Sequence, residues 1–319
     1  MTSPEIEGDW NSLDHDIAEL RQLILEQLAT HGPDHRLTLT ARGYLGRHLA
    51  RNGRPHEAIE LLEELLVDRS RIFGPDDGSC LQTRGNLAEA YGATGDHARA
   101  ADIYAALLAD RERILEPGDP AIAMTRSNLL VERALASSDR DEAIDLLTCN
   151  LEQCRTLLGD EDPGTLTARG HLATQHLRFG DAETAAALLA ELAQDREELL
   201  GFDDLATLRT RRIHGEALRA AGDRTGARRI LEDVVECLTE WFGAPHPETM
   251  RARAELLAVA ELDGKADRRE VLAFLDDCET LEREDALRGW FRPLRRRPRH
   301  NRRNLNDNQE GGSDDIDRK

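Results

Sequence analysis

Aromatic side chains make up only 4% of this 319-residue chain, and lysine stands at positions 265 and 319 alone. β-Branched runs are scarce, while Ala, Leu, Glu and Arg dominate. Those are strong helix formers, so a sheet protein is excluded and an all-α chain is expected. No apolar run approaches the ~20 residues that span a bilayer. The start, "MTSPEIEGDWNSLDHD", is acidic and has no apolar stretch, so a signal peptide is not expected and the protein is read as cytoplasmic. The five cysteines, at 80, 149, 154, 237 and 278, are odd in number and never spaced CxxC. That pattern excludes a disulfide framework or a cysteine zinc site and reads as small buried apolar residues in a reducing compartment. GxxxxGK[ST], GxSxG and HExxH are missing as well. His171 and His176 lie five apart, not the four that places a metal pair on one helix face. No metal, cofactor or catalytic residue is expected, and the chain reads as non-enzymatic.

What is there is charge, unevenly placed. The formal net charge is −20, yet residues 288–303 hold eight arginines and no acid. The remainder is therefore more acidic still. Such a body repels nucleic acid and anionic membranes and attracts basic partners. The last residues, 304–319, turn acidic again around "EGGSDDID". The tail 288–319, with its prolines and polar end, is expected to be disordered. It is either inert or put to one of three uses: binding nucleic acid, binding an anionic membrane, or contact with the acidic body of its own chain.

The chain also repeats itself. Arginine recurs at 42, 84, 126, 169, 211 and 253, at spacings of 42 or 43. Three residues later stand Leu45, Leu87, Leu129, Leu172, His214 and Leu256. Eleven later stand Gly53, Gly95, Ser137, Gly180, Gly222 and Gly264. A loop precedes each unit, from "GPDHRLTL" to "GAPHPETM". A fixed period of this length means a stacked repeat. Each unit reads as two helices with a glycine turn between them. Small residues at Gly46, Ala88, Ala173 and Gly215 face Ala58, Ala100, Ala143, Ala185 and Ala227, which lets two helices approach closely. The extra residue of the 43-residue interval falls in "ASSDRDEA", a turn that absorbs it.

The string "NLAEAYGATGDHARA" resembles the tetratricopeptide repeat. The period of 42 and the "GPDH…TL…NLA…G…EA" pattern are similar to the kinesin-light-chain type, common in actinobacteria. The resemblance covers about residues 32 to 280. It implies a right-handed α-solenoid of about six stacked helix hairpins with capping helices. Residues 1–31 would be an N-terminal segment and cap, 32–287 the repeats, and 288–319 the tail. Arg269 replaces the small residue of the sixth second helix, which is expected to pack differently.

The resemblance further implies a non-catalytic scaffold or adaptor that binds an extended peptide or protein segment on its concave face. The alternative is a regulatory sensor or the partner of a transcription regulator, controlled by peptide binding. In the family, an asparagine on the first helix bonds the ligand backbone. That role carries to Asn86 and Asn128, and at the same register to Tyr44 and His171. Arg47, Gln82, Glu89, Thr174, Arg209, Arg212, Glu216 and Arg251 complete the expected groove. The repeated arginine is read as structural, paired with an acid 16 residues before it: Asp68–Arg84, Asp110–Arg126 and Asp195–Arg211.

Overall fold

The computed structural model describes residues 10–283, apart from 52, 245, 263 and 265–267. The tail at 288–319 lies outside the described residues. Among the described residues there are thirteen helices and no strand. A single helix, α1 (Trp10–His31), comes first. Six hairpins follow: α2 (Arg36–Arg51) with α3 (Pro55–Phe73), and α4 (Gly78–Thr94) with α5 (His97–Ile114). Next come α6 (Pro120–Ala136) with α7 (Arg140–Leu158), and α8 (Pro163–Arg178) with α9 (Ala182–Leu200). The last are α10 (Leu205–Ala221) with α11 (Arg224–Phe242), and α12 (Pro247–Leu262) with α13 (Arg268–Arg283). Each helix packs on the next in sequence, and successive first helices also touch at α2–α4, α8–α10 and α10–α12. This is an α-solenoid.

Local chemistry sets the boundaries. The loop aspartates Asp77, Asp119, Asp162 and Asp204 each accept a bond from a backbone N–H in the first turn of the following first helix. Asp96, Asp139, Asp181 and Asp223 do the same for the second helices. Such a cap satisfies one of the donors that a helix start leaves open. In the first and sixth units the loop aspartate is replaced by histidine. His35 Nδ1 accepts from Leu37 N at 3.3 Å, and His246 Nδ1 accepts from Glu248 N at 3.1 Å. Inside the hairpins, Gly95 and Gly222 take the left-handed conformation at φ 86° and 95°. The third unit has Ser137 there at φ −69°, and the serine hydroxyl accepts from Asp139 N instead. That substitution is where the extra residue is absorbed.

The core runs between the two rows of helices. Leu39, Leu62, Leu65, Leu107, Leu147, Leu189, Leu192, Leu208 and Leu231 are fully buried. At Gly46 an added Cβ would lie 2.6 Å from Leu62 Cδ2, and at Gly215 it would lie 2.7 Å from Leu231 Cγ. Those glycines are present because the second helix sits against them. α1 buries Ile17 beside Leu39 and Leu45, and so covers the first hairpin. α13 buries Phe274 against Met250, with Arg269 left exposed. Of the cysteines, Cys80 and Cys154 are buried, Cys237 and Cys278 half-buried, and all five unbridged. Cys149 departs from the expectation: it lies exposed on the outer face of α7.

The repeated arginine is structural, but its expected partners were wrong. Arg42 Nη1 donates to Asp68 Oδ2 at 2.6 Å, and Arg84 Nη1 to Asp110 Oδ2 at 2.6 Å. Arg169 pairs with Asp195 in the same way. Each arginine therefore reaches the acid 26 residues ahead, within its own hairpin, rather than the acid 16 behind. Arg126 has Gln153 at the matching place and turns to Glu112 at 2.7 Å. Arg211 meets Cys237 there and takes Asp233 at 3.0 Å, one turn earlier. Arg253 takes Asp277 at 2.7 Å.

What the acid does not do toward the next hairpin, the following residue does. Arg69 is buried and donates to Ser79 O at 2.9 Å, Thr83 Oγ1 at 2.7 Å and Leu39 O at 2.9 Å. Arg196 donates to Ala206 O at 3.2 Å and Thr210 Oγ1 at 2.5 Å. Arg111 makes the same contacts with Ala121 O and Thr125. Burial lowers the pKa of all three guanidinium groups. Successive residues stand about 100° apart around a helix. The acid thus faces the first helix of its own hairpin, and the arginine faces the first helix of the next.

Candidate peptide groove on the first helices

Every expected groove residue lies on a first helix: Tyr44 and Arg47 on α2, Gln82, Asn86 and Glu89 on α4, and Asn128 on α6. His171 and Thr174 lie on α8, and Arg209, Arg212 and Glu216 on α10, with Arg251 on α12. The residues one and two positions after Tyr44, Asn86 and His171 face inward, as Leu45, Leu87, Ala88, Leu172 and Ala173 are buried. Helical periodicity therefore leaves the groove positions on the side away from the second helices.

The structure links these residues from repeat to repeat. Arg51 Nε donates to Glu89 Oε1 at 3.0 Å, from α2 to α4. Tyr44 is exposed, and Arg47 lies over its ring at 5.3 Å from the centroid. Asn86 is half-buried, and among the described residues its amide has no hydrogen-bond partner. Gln82 is exposed beside it. Asn128 behaves differently, since its amide bonds the hydroxyl of Tyr104 on α5. That hydroxyl donates to Gly85 O at 3.4 Å, so Tyr104 ties α4 to α6. Burial, together with Glu89 and Glu132, raises the Tyr104 pKa and keeps the phenol neutral.

His171 sits deeper. Burial lowers its pKa, and the nearby Glu132 partly offsets this. Glu132 in turn meets His97 Nδ1 at 2.8 Å. Thr174 is exposed and bonds only back to Gly170 O on its own helix, at 2.8 Å. In units five and six the row becomes a lattice of alternating charge. Arg209 Nη2 lies 2.9 Å from Glu248 Oε1, and Arg219 Nη2 lies 3.3 Å from Glu255 Oε2. Arg212 is nearly enclosed, with Glu216 4.0 Å away and its Nε without a hydrogen bond. Burial and the neighbouring Glu255 raise the Glu216 carboxyl pKa. Burial lowers that of Arg251.

Sequence reasoning missed the buried Arg69 and the half-buried Arg111 and Arg196, the Tyr104–Asn128 tie and the partner acid Glu248. For the arginines a signal was present. Where arginine stands at this position, threonine stands 14 residues on: Thr83, Thr125 and Thr210. Where Cys154 or Leu238 replaces it, the same place holds Ala168 or Ala252. The two positions change together because each threonine exists to receive its guanidinium. Among the described residues, no three metal-binding side chains converge.

A stack of helix hairpins at a fixed period defines a helical-repeat protein. The chain carries tetratricopeptide repeats: the Tetratricopeptide repeat family matches residues 38–113, and a second Tetratricopeptide repeat match covers residues 208–248. Repeats of this family mediate protein–protein interaction. None of the curated proteins compared with the chain matches it.

Solved structures resemble it. One is a Podosopora anserina kinesin light chain protein with nearly identical TPR-like repeats, 24% identical. The match covers 63% of this chain and 95% of that one, with a TM-score of 0.48. BtubC (BKLC) from P. vanneervenii is 17% identical over 96% of this chain and 99% of its own, TM-score 0.49. A signal transduction ATPase with numerous domains and a tetratricopeptide repeat sensor, from Pyrococcus horikoshii, is 12% identical. It covers 83% of this chain and 39% of its own, TM-score 0.52, and this likeness is one of fold. Among the described residues no helix is long and apolar enough to cross a membrane.

Proposed function

We propose that the chain is a non-enzymatic adaptor that holds an extended peptide or protein segment along its row of first helices. This reading divides the chain into 1–31, an N-terminal segment with the capping helix α1, 32–287, the repeats that bind, and 288–319, the arginine-rich tail. The observation that carries this reading is the Asn86 amide. It is polar, half-buried, and without a partner among the described residues. An amide donates and accepts at once, which matches a peptide group. On the same helix Gln82 is exposed, as Tyr44 is on α2, while the helices beneath are fixed by buried leucines and arginine bonds. A rigid wall of this kind leaves the ligand as the only party that loses entropy on binding.

The test is selection of a displayed random-peptide library on the full chain, with clones re-measured on an Asn86→Ala variant. Captured peptides are expected to bind the variant several-fold more weakly, since a lost amide bond to a backbone is worth about 1 kcal/mol. Peptides that bind both proteins equally would place the ligand elsewhere. Asn128 offers a control, because its amide is engaged with Tyr104. Asn128→Ala is expected to lower stability as well as binding.

A further inference from the structure

One edge of the stack carries apolar residues at the repeat spacing. Leu157 and Leu158 end α7, Leu199 and Leu200 end α9, and Trp241 lies at the end of α11. All five are 44–63% exposed. They recur at the repeat spacing, so they form a stripe across three consecutive second helices. It fades toward the first unit, with Ile114 at the end of α5 37% exposed. In unit one Ile72 and Phe73 are half-buried, and in units one and two bidentate ion pairs flank the edge: Arg71 with Asp34 and Arg113 with Asp76. The matching positions later on are Thr156, Glu198 and Glu240.

The surroundings of the stripe are acidic. Glu161, Glu197, Glu198, Asp203, Glu236 and Glu240 are all exposed on or beside this edge. α9 and α11 carry no basic residue in their last turns. A helix C-terminus bears partial negative charge and favours cations, so acids there are unfavourable unless a cationic group arrives. An apolar stripe rimmed with negative charge fits a segment that is both basic and apolar.

The chain has one such segment. Residues 286–303 read "ALRGWFRPLRRRPRHNRR": eight arginines, no acid, and the apolar anchors Leu287, Trp290, Phe291 and Leu294. It begins close to the stripe. α13 ends at Arg283, which is the periodic equivalent of Trp241, Leu199 and Leu157. Helices packed at 8–10 Å put one second helix at most about 20 Å from the next. Twenty extended residues span about 65 Å, enough to run back over three repeats. We propose that residues 286–303 dock in cis along the edge formed by the C-terminal ends of α7, α9 and α11. Trp290 and Phe291 cover the leucines, and the arginines neutralise the acidic rim. This contact stands apart from the groove on the first helices and does not depend on it.

The test uses the full chain with Trp10→Phe and Trp241→Phe, so that Trp290 alone reports. At low salt Trp290 is expected to be shielded from acrylamide quenching, with light scattering giving the mass of one chain. Leu157→Asp with Leu199→Asp is expected to raise quenching several-fold, as is high salt. Glu198→Arg with Glu240→Arg suits the helix ends, keeps the fold, and is expected to release Trp290 too. Circular dichroism checks that helicity is unchanged. Equal quenching in parent and both variants overturns the proposal. So does shielding that vanishes on dilution with a two-chain mass, which assigns the segment to a second copy.

Discussion

At the scale of the residue, the stack is held in register by two kinds of arginine with opposite directions. One, exemplified by Arg42, closes its own hairpin on Asp68. The other, exemplified by Arg196, crosses to the next hairpin and ends on Thr210. Sequence spacing alone could not tell which acid the first kind would choose. The acids 26 ahead and 16 behind both sit on antiparallel neighbours, each symmetric about a turn. Only the angle around the helix decides, and the neighbouring arginine already occupies the other side. The chain offers its own comparison, since Leu238 with Ala252 fills the place of Arg196 with Thr210. Thr210→Ala alone is expected to cost about 1–2 kcal/mol, because it takes an acceptor from a half-buried guanidinium. Arg196→Leu with Thr210→Ala is expected to cost less than the sum of the single changes, with a coupling of about 1 kcal/mol in urea denaturation. Additive costs would show that the pair carries no joint energy.

At the scale of the element, most boundaries were legible in the sequence. Glycine turns such as Gly95 and Gly222 and the loop aspartates mark where helices end and begin. The histidine caps were not legible, because His35 and His246 look like any loop histidine until Nδ1 is placed against a backbone N–H. Their chemistry has a consequence for pH. Burial lowers the His246 pKa from 6.5 to about 4. Only the neutral ring accepts from Glu248 N. A group whose folded pKa is depressed contributes stability above its unfolded value and loses it as pH falls toward the folded one. The sixth hairpin is therefore expected to loosen between about pH 6.5 and 4. Trp241 reports on this, being next to Phe242, which stacks on His246 at 4.3 Å. His246→Asp restores the cap used elsewhere and is expected to flatten the fluorescence change over that range. Identical acid profiles for the two proteins would remove His246 as the cause.

At the scale of the whole molecule, the period of 42 was enough to expect the solenoid, because six copies of one pattern cannot each bury a separate core. The groove was legible only as a row of positions. Three features came from the fold alone. The Tyr104–Asn128 tie depends on a second helix reaching between two first helices. The charge lattice of units five and six depends on Glu248 and Glu255 arriving from the adjacent repeat. The apolar edge has no signal within any one repeat and appears only when Leu157, Leu199 and Trp241 are aligned. The central claim is that the first helices form one continuous binding wall. Hydrogen exchange of the full chain with a library-selected peptide tests it most directly. The account predicts added protection on consecutive first helices, α2, α4 and α6 among them, with the second helices unchanged. Protection confined to the ends of α7, α9 and α11, or to a single repeat, would contradict it.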